Sequence, residues 1–557
     1  MKRFNKYFPF FLVAGILLNA NGLFIDILEP DGALYATIAK HIALSNDWIN
    51  LFGDGHDWLD KPHFPFWIAA ISFKIFGITA FAYKLPAYIF WLIGTWFTYR
   101  LAIFLYDKST ARVAIIIYIF SLHGILNSFD VRAEPYLTAL SIGAIYYFYR
   151  AYKEQKWKHI IFTALLAACA IMTKGIFVLI TIAAGFVIYW IITKQWKQFI
   201  NYRWWIMVVL ILLFITPELY SLYTQFDLHP EKVVFGRTNV SGLKFFFWDS
   251  QFGRFFNTGP IKGNGEKTFF LHTTLWAFLP WSIILYVAVF NFFKKRKDAV
   301  EAAPIRWIIY GSAAVTFLLF SFSGFQLPHY ITILFPQFAI ITAAYLTSIK
   351  KESTFRTFGI IQTVLLVLAP FLVIALSTFS KIGNPGFVLP LLGILVVFAV
   401  FNFSKEGINK IILPAVTTIV VLFIYLLNVF YPNLMKYQSG MMAGKWLNEQ
   451  NLAKTPGIYQ EWSYSFEFYA PGYVEYIRDN NELNNFLQKD SSRPIYTSGN
   501  LLAELQKQGY KPEILKPFEY FHITMLDAPF LNPKTRDKEL QKIVLVRMSK
   551  LQPLKRL

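Results

Sequence analysis

The sequence predicts a polytopic α-helical membrane protein, with about thirteen transmembrane helices, interfacial helices in the first outer loop and a small α/β domain outside the membrane at the C-terminal end. Three observations carry this expectation. The 557-residue chain is 56% hydrophobic and only 15% charged, too apolar for an ordinary soluble protein of this length. Runs such as "FPFFLVAGILLNA" and "IILPAVTTIVVLFIYLLNVF" are apolar on every face, and such a helix needs lipid or protein all round. Basic residues gather in alternate loops, the pattern that sets topology in a membrane.

The transmembrane domain is expected over 1–430. The first span, 7–25, lacks a following small-x-small cleavage site and reads as retained. The first outer loop, 26–83, then carries most of the polar interest. Pro30 disfavours helix at Glu29, which makes Asp31 a good N-cap for a helix through "GALYATIAKHIAL". Leu34, Ile38 and Ile42 form one apolar stripe, so this helix should lie in the interface. Asp60, Lys61 and Pro62 precede a second interfacial helix, whose Phe64, Trp67, Ile68, Ile71 and Ile75 share a face. Pro62 suits a first helical turn, so Lys61 stands beside the positive end of a helix dipole, a place that attracts a phosphate. The plainer alternatives are a simple cap at Asp31 and a snorkelling lysine at Lys61.

Spans follow at 84–105, 111–127, 135–151, 159–173, 175–193 and 204–223. "SFDVRAEPYLTAL" puts Asp130, Arg132 and Glu134 at the mouth of one, and "IMTKGIFVLI" puts Lys174 in an apolar hairpin. Ionisable groups in such places are costly and usually functional, although Asp130 and Arg132 also suit a mutual ion pair. A second large outer loop covers 224–270, and spans are expected at 271–292, 306–322, 330–347, 357–378, 386–403 and 411–430. His272 in "FFLHTTLWAFLPW" and His329 with Tyr330 in "LPHYITILFP" sit at outer ends; a lone histidine there is more often an interface residue than a ligand.

One set of loops holds Lys2, Arg3, Lys6, Lys108, Lys153, Lys156, Lys158, Lys194, Lys197, Arg203, Lys294, Lys295, Arg296, Lys297, Lys350, Lys351, Lys405 and Lys410. The short loops of the other set hold Arg132, Lys174 and Lys381. The basic set should be cytoplasmic, which puts the N-terminus inside and, with an odd number of spans, the C-terminus outside. The net charge of +20 is therefore read as topology and not as affinity for nucleic acid. Cys169 is the single cysteine, so the chain has neither a disulfide framework nor a cysteine metal motif. The extracytoplasmic tail, 431–557, loses the long apolar runs: "MAGKWLNEQ" and "LLAELQKQG" look helical, "RPIYTSG" and "KIVLVRMSK" look like strands.

In order along the chain, "EPDGALYATIAKHI", "WLDKPHFPFWI", "FDVRAEPYL", "TKGIFVLI", "QFGRFF", "FLPWS" and "LPHYITILFP" resemble the lipid A aminoarabinose transferase and the membrane glycosyltransferases grouped with it, distant relatives of the protein O-mannosyltransferases. The resemblance covers about residues 1–350. It implies a C-type glycosyltransferase fold and a polyprenyl-phosphate-linked sugar as donor. It also implies inverting transfer to lipid A, a glycan or a protein at the outer face of the bacterial inner membrane. It makes Asp31 the catalytic base and Lys61 the contact to the lipid phosphate. Tyr330 would lie near that phosphate, with Arg254 as a further contact. Asp60 falls where the family often has Glu, at a position that can take part in a metal site, with His272 as second ligand; a divalent metal would be an addition to the donor, not a requirement. Asp130 joins Asp31 as a catalytic candidate, and Arg132, Glu134, Lys174 and His329 join the donor-binding set. Gly32, Ala33 and "DKPHFPF", where "EKPPL" is commoner, depart from the family pattern and bear on the metal and the acceptor. No G-x-x-x-x-G-K-[ST] loop is present, in keeping with a donor that already carries the transfer energy. The rival reading, a transporter of lipid-linked sugar or polysaccharide, needs a polar path through the bilayer, whereas the polar groups crowd the outer mouths.

Overall fold

The structure is a computed structural model that describes residues 2–294, 304–384, 386, 388–403, 407–452 and 455–550. Lys295, Arg296, Lys297 and Lys405 of the basic loops lie outside the described residues. Every predicted span contains a helix. Eight helices among the described residues are long and apolar enough to cross a membrane, or nine when the pair Lys108–Ile119 and Leu122–Phe129, bent by 55°, counts as one. Two further predicted spans are interrupted. The 204–223 segment breaks after Phe214 and resumes as Thr216–Leu222 with Pro217 in its first turn. The 271–292 segment divides into Phe269–Ala277 and Ser282–Lys294 around Pro280, which has no amide proton to continue the ladder.

Position in the bundle follows from which faces can be covered. The segment Pro328–Ser348 is 78% buried, whereas Glu352–Ser380 is 28% buried and turns Phe371 and Leu372 outward, as a lipid-facing helix does. Gly185 lets the helix Val178–Ile192 approach Trp307–Ser321 closely: a Cβ there would lie 1.8 Å from the Ile308 carbonyl oxygen. Small residues at such a crossing allow backbone contact where lipid offers no hydrophobic drive for association.

The first outer loop differs from expectation. The helix Asp31–Ser45 begins at Asp31, with Pro30 in the N-cap position and no side-chain cap. Asp31 is therefore a first-turn residue whose carboxylate is turned elsewhere, and the N-cap reading is corrected. Nor does this helix lie open on the interface. Leu34, Ile38 and Ile42 are buried, but so are Tyr35, Ala36, Thr37 and Lys40, because the C-terminal unit packs over the helix. The second helix runs Phe64–Phe76, with Pro65 in its first turn, so Pro62 lies ahead of the first turn and Lys61 precedes the helix by three residues instead of standing at its start. Its covered side is Pro65, Phe66, Ala69, Ala70 and Phe73; Ile71 and Ile75 of the apolar stripe are 46% and 66% exposed, facing away from the protein.

The tail carries a five-stranded sheet. In spatial order its strands are Glu475–Ile477, Gly457–Tyr459, Ile495–Ser498, Gln541–Lys550 and Tyr510–Tyr520. The first two pairings are parallel and the last two antiparallel. The helices Ser439–Glu449 and Gly499–Lys507 and the strands Ile495–Ser498 and Gln541–Lys550 fall where the sequence pattern put them. Met441, Phe468, Ile523 and Phe530 join the apolar core of the spans, so the tail is docked on the membrane bundle and not tethered to it.

Candidate active site

One side of the bundle gathers charge from five separate stretches of chain. Arg132, between the helices ending at Phe129 and beginning at Glu134, donates from Nη1 to Asp31 Oδ2 at 2.5 Å and from Nη2 to Asp130 Oδ2 at 3.0 Å. Asp130 and Arg132 do pair, but the arginine also bridges to Asp31, a hundred residues earlier. His329 lies 3.4 Å from Arg132 through Nδ1 and 3.6 Å from Glu134 through Nε2. Glu134 accepts from Lys174, whose ammonium sits 3.7 Å from the centre of the Tyr330 ring, a cation–π contact.

A second group lies alongside. Lys61 Nζ is 2.6 Å from Asp60 Oδ2, and Arg254 donates to the other oxygen of the same carboxylate. Arg254 also stacks over Phe325. The two groups meet around Tyr35 and Tyr330. Tyr35, one turn on from Asp31, is acted on by Lys61, Asp31, Glu134 and Arg132 together. Burial works to lower the Lys61 pKa, but Tyr35, Tyr330, Asp31 and Glu134 outweigh it and raise it above the ordinary value, so this lysine stays charged at neutral pH. Lys174, Arg254 and Tyr330 line a cavity whose other walls include Phe177, Phe255, Phe320 and Phe325. It is a largely apolar pocket whose lining also carries two cations.

Local folding explains the placement. Lys61 is held by its neighbour His63, whose backbone N–H donates to Glu218 Oε2 at 3.0 Å, while Nδ1 lies 3.0 Å from Glu218 Oε1 and Nε2 2.9 Å from the Ile49 carbonyl. Both side chains are buried. Gly175, at φ +99°, turns the chain after Lys174, and a Cβ there would collide with Gln251. Gln251 in turn donates to the Lys174 carbonyl at 3.2 Å.

The Asp60–His272 pairing is corrected. Asp60 is bridged by two cations, and His272 is exposed with its ring edge-to-face on Phe269. No group of three His, Cys, Asp or Glu side chains that could hold a metal ion occurs among the described residues. The donor set does not fit a metal centre. Sequence reasoning missed Tyr35, Glu218 and Gln251. Glu218 carried the signal used elsewhere, an acid inside an apolar segment ("FITPELYSL"). Tyr35 could have been found as the residue one turn beyond Asp31 on the same face.

The helical bundle defines the class: the chain has the C-type glycosyltransferase fold. The particular resemblance is to ArnT from Cupriavidus metallidurans, a structure determined with undecaprenyl phosphate bound; the two superpose with a TM-score of 0.72 over 97% of this chain and 98% of that one, at 15% identity. Residues 60–220 match the family described as dolichyl-phosphate-mannose-protein mannosyltransferase. An undecaprenyl phosphate-alpha-4-amino-4-deoxy-L-arabinose arabinosyl transferase of Edwardsiella ictaluri is 26% identical over 365 residues, 62% of each chain. An uncharacterised protein of Aquifex aeolicus is 26% identical over 358 residues, 63% of this chain and 65% of that one. The chain thus spans just under two thirds of the length of these curated relatives.

Proposed function

We propose that this protein transfers a sugar, with inversion, from a polyprenyl-phosphate donor to an acceptor hydroxyl at the outer face of a bacterial inner membrane, with the N-terminus cytoplasmic. The acceptor oxygen attacks the anomeric carbon while Asp31, beside Asp130, takes its proton. The bond from that carbon to the phosphate oxygen breaks, and polyprenyl phosphate leaves with the bonding electrons. Lys61, Arg254 and Lys174 meet the charge on the leaving phosphate, with Tyr330 beside them. Arg132 orients Asp31 and Asp130, and His329 with Glu134 holds Arg132 and Lys174 in place.

The observation that supports this best is the meeting of an apolar cavity with cations that already grip an anion. Lys61 and Arg254 share the Asp60 carboxylate, and the Nε atoms of Arg254 and Arg132 are buried with no hydrogen-bond partner among the described residues. Unpaired buried donors are costly, and a phosphate would satisfy them. A lipid tail suits the aromatic wall and its phosphate suits the cations. Mass spectrometry of envelope lipids, glycans and proteins from cells with the gene, without it, and with Asp31→Asn tests the reading and identifies the acceptor. A sugar modification should depend on the gene and vanish in the variant. An unchanged envelope would refute transfer. Lipid movement in liposomes that persists with Asp31→Asn would instead support a transporter.

A further inference from the structure

The six-residue helix Tyr464–Tyr469 of the tail is held at both ends by the segment that carries Asp31. At its N-terminal end, Glu29 Oε1 accepts from the Ser463 hydroxyl and from the Ser465 backbone N–H, each at 2.6 Å. At its C-terminal end, the Lys40 ammonium donates to the carbonyls of Glu467, Phe468 and Ala470 at 2.7, 3.1 and 2.7 Å. These are the groups a helix leaves without internal partners. They are satisfied here by side chains more than 420 residues away in sequence. Glu29 is 6% and Lys40 2% exposed. Thr37 adds a bond to the Tyr464 carbonyl at 3.2 Å. Gln438 closes the start of the segment, accepting from Glu29 N at 3.0 Å and donating to the Ile27 carbonyl at 2.9 Å.

Glu29 precedes Asp31 by two residues, and Lys40 lies on the same helix as Asp31. The helix therefore cannot slide or tilt without breaking one grip or the other. We propose that the C-terminal unit is the positioning element of the transfer site: Glu29 and Lys40 grasp opposite ends of the Tyr464–Tyr469 helix and so fix Asp31 relative to Lys61 and Arg132. This rests on the glycosyltransferase reading above. It gives the tail a task in the reaction itself, because a misplacement of about 1 Å in a reacting group can cost roughly a hundredfold in rate. Glu29 and Lys40 are positioning residues; neither bonds to the cations assigned to the phosphate.

The test uses the full chain in detergent and the same variants expressed in cells. In Lys40→Met and Glu29→Met, amide hydrogen exchange across 31–45 should rise. Affinity for undecaprenyl phosphate should stay within twofold of wild type, because Lys61 and Arg254 are held from elsewhere. The gene-dependent sugar product should fall tenfold or more. Unchanged protection of 31–45, product at the wild-type level, or loss of undecaprenyl phosphate binding in step with product would each overturn the proposal. Should either variant fail to give monodisperse protein, Ser463→Ala, which removes one hydroxyl from the grip, is measured in the same way with the same outcomes decisive. A wild-type chain that makes no gene-dependent product refutes the glycosyltransferase reading instead, and the exchange measurement still decides whether the tail holds the helix.

Discussion

At the residue scale, the site is a balance of charge. Asp31, Asp60, Asp130 and Glu134 face Lys61, Arg132, Lys174 and Arg254, so an incoming phosphate must exchange with a carboxylate already in place. Asp31→Asn should lower product formation by roughly 10²–10⁴-fold, the usual share of a general base, with undecaprenyl phosphate binding retained. Arg254→Ala should do the reverse and weaken that binding first, as read by titration of tryptophan fluorescence. Lys40 makes a pH-dependent prediction. Burial, opposed by Glu467, pulls its pKa down from 10.5 to about 7. Between those values the folded chain binds fewer protons than the unfolded one, so unfolding free energy rises with pH as the buried charge is relieved. The melting temperature of wild type relative to Lys40→Met should therefore climb from pH 7 to pH 10; a flat difference would contradict that. Lys174 was legible in the sequence as an ionisable group in apolar surroundings, and Lys61 as a cation ahead of a helix. Lys40 was not, because a lysine on an interfacial helix is ordinarily solvated and nothing within the helix marks it as covered.

At the scale of elements, the helices follow hydrophobic runs, and the breaks within 204–223 and 271–292 each carry a proline, which is why the predicted spans and the tail helices and strands recur in the structure. Orientation about each helix axis was harder to read. An apolar stripe faces lipid as readily as protein, and the small face of Phe64–Phe76, with Ala69 and Ala70, is the one that packs. The link from Thr216–Leu222 to the Lys61 loop through Glu218 and His63 is fully buried. Glu218→Ala leaves His63 Nδ1 and the His63 backbone N–H without their partner, and a buried group left unsatisfied costs about 1–3 kcal/mol. A lower melting temperature should accompany weaker undecaprenyl phosphate binding, since Lys61 loses its anchor. Gly185→Ala should also lower the melting temperature, because its new methyl group meets the Ile308 carbonyl.

At the scale of the whole molecule, the contacts of Glu29 with Ser463 and of Lys40 with Glu467 put the first outer loop and the tail on one side of the membrane. A single cysteine introduced at Lys511 in a Cys169→Ala background should react with an impermeant maleimide from outside intact cells, and one at Lys156 only after lysis. The reverse pattern would invert the proposed orientation. The sequence by itself determined the membrane class, the order of spans and most of the charged residues that gather on one side, because hydrophobic run length and charge in an apolar setting are local properties of the chain. Only the tertiary structure decided which charges meet, that Asp60 joins Lys61 and Arg254 instead of His272, and that the tail grips the Asp31 helix. A buried charge takes its partner from whatever folding brings within reach, and here those partners lie from one to more than four hundred residues away.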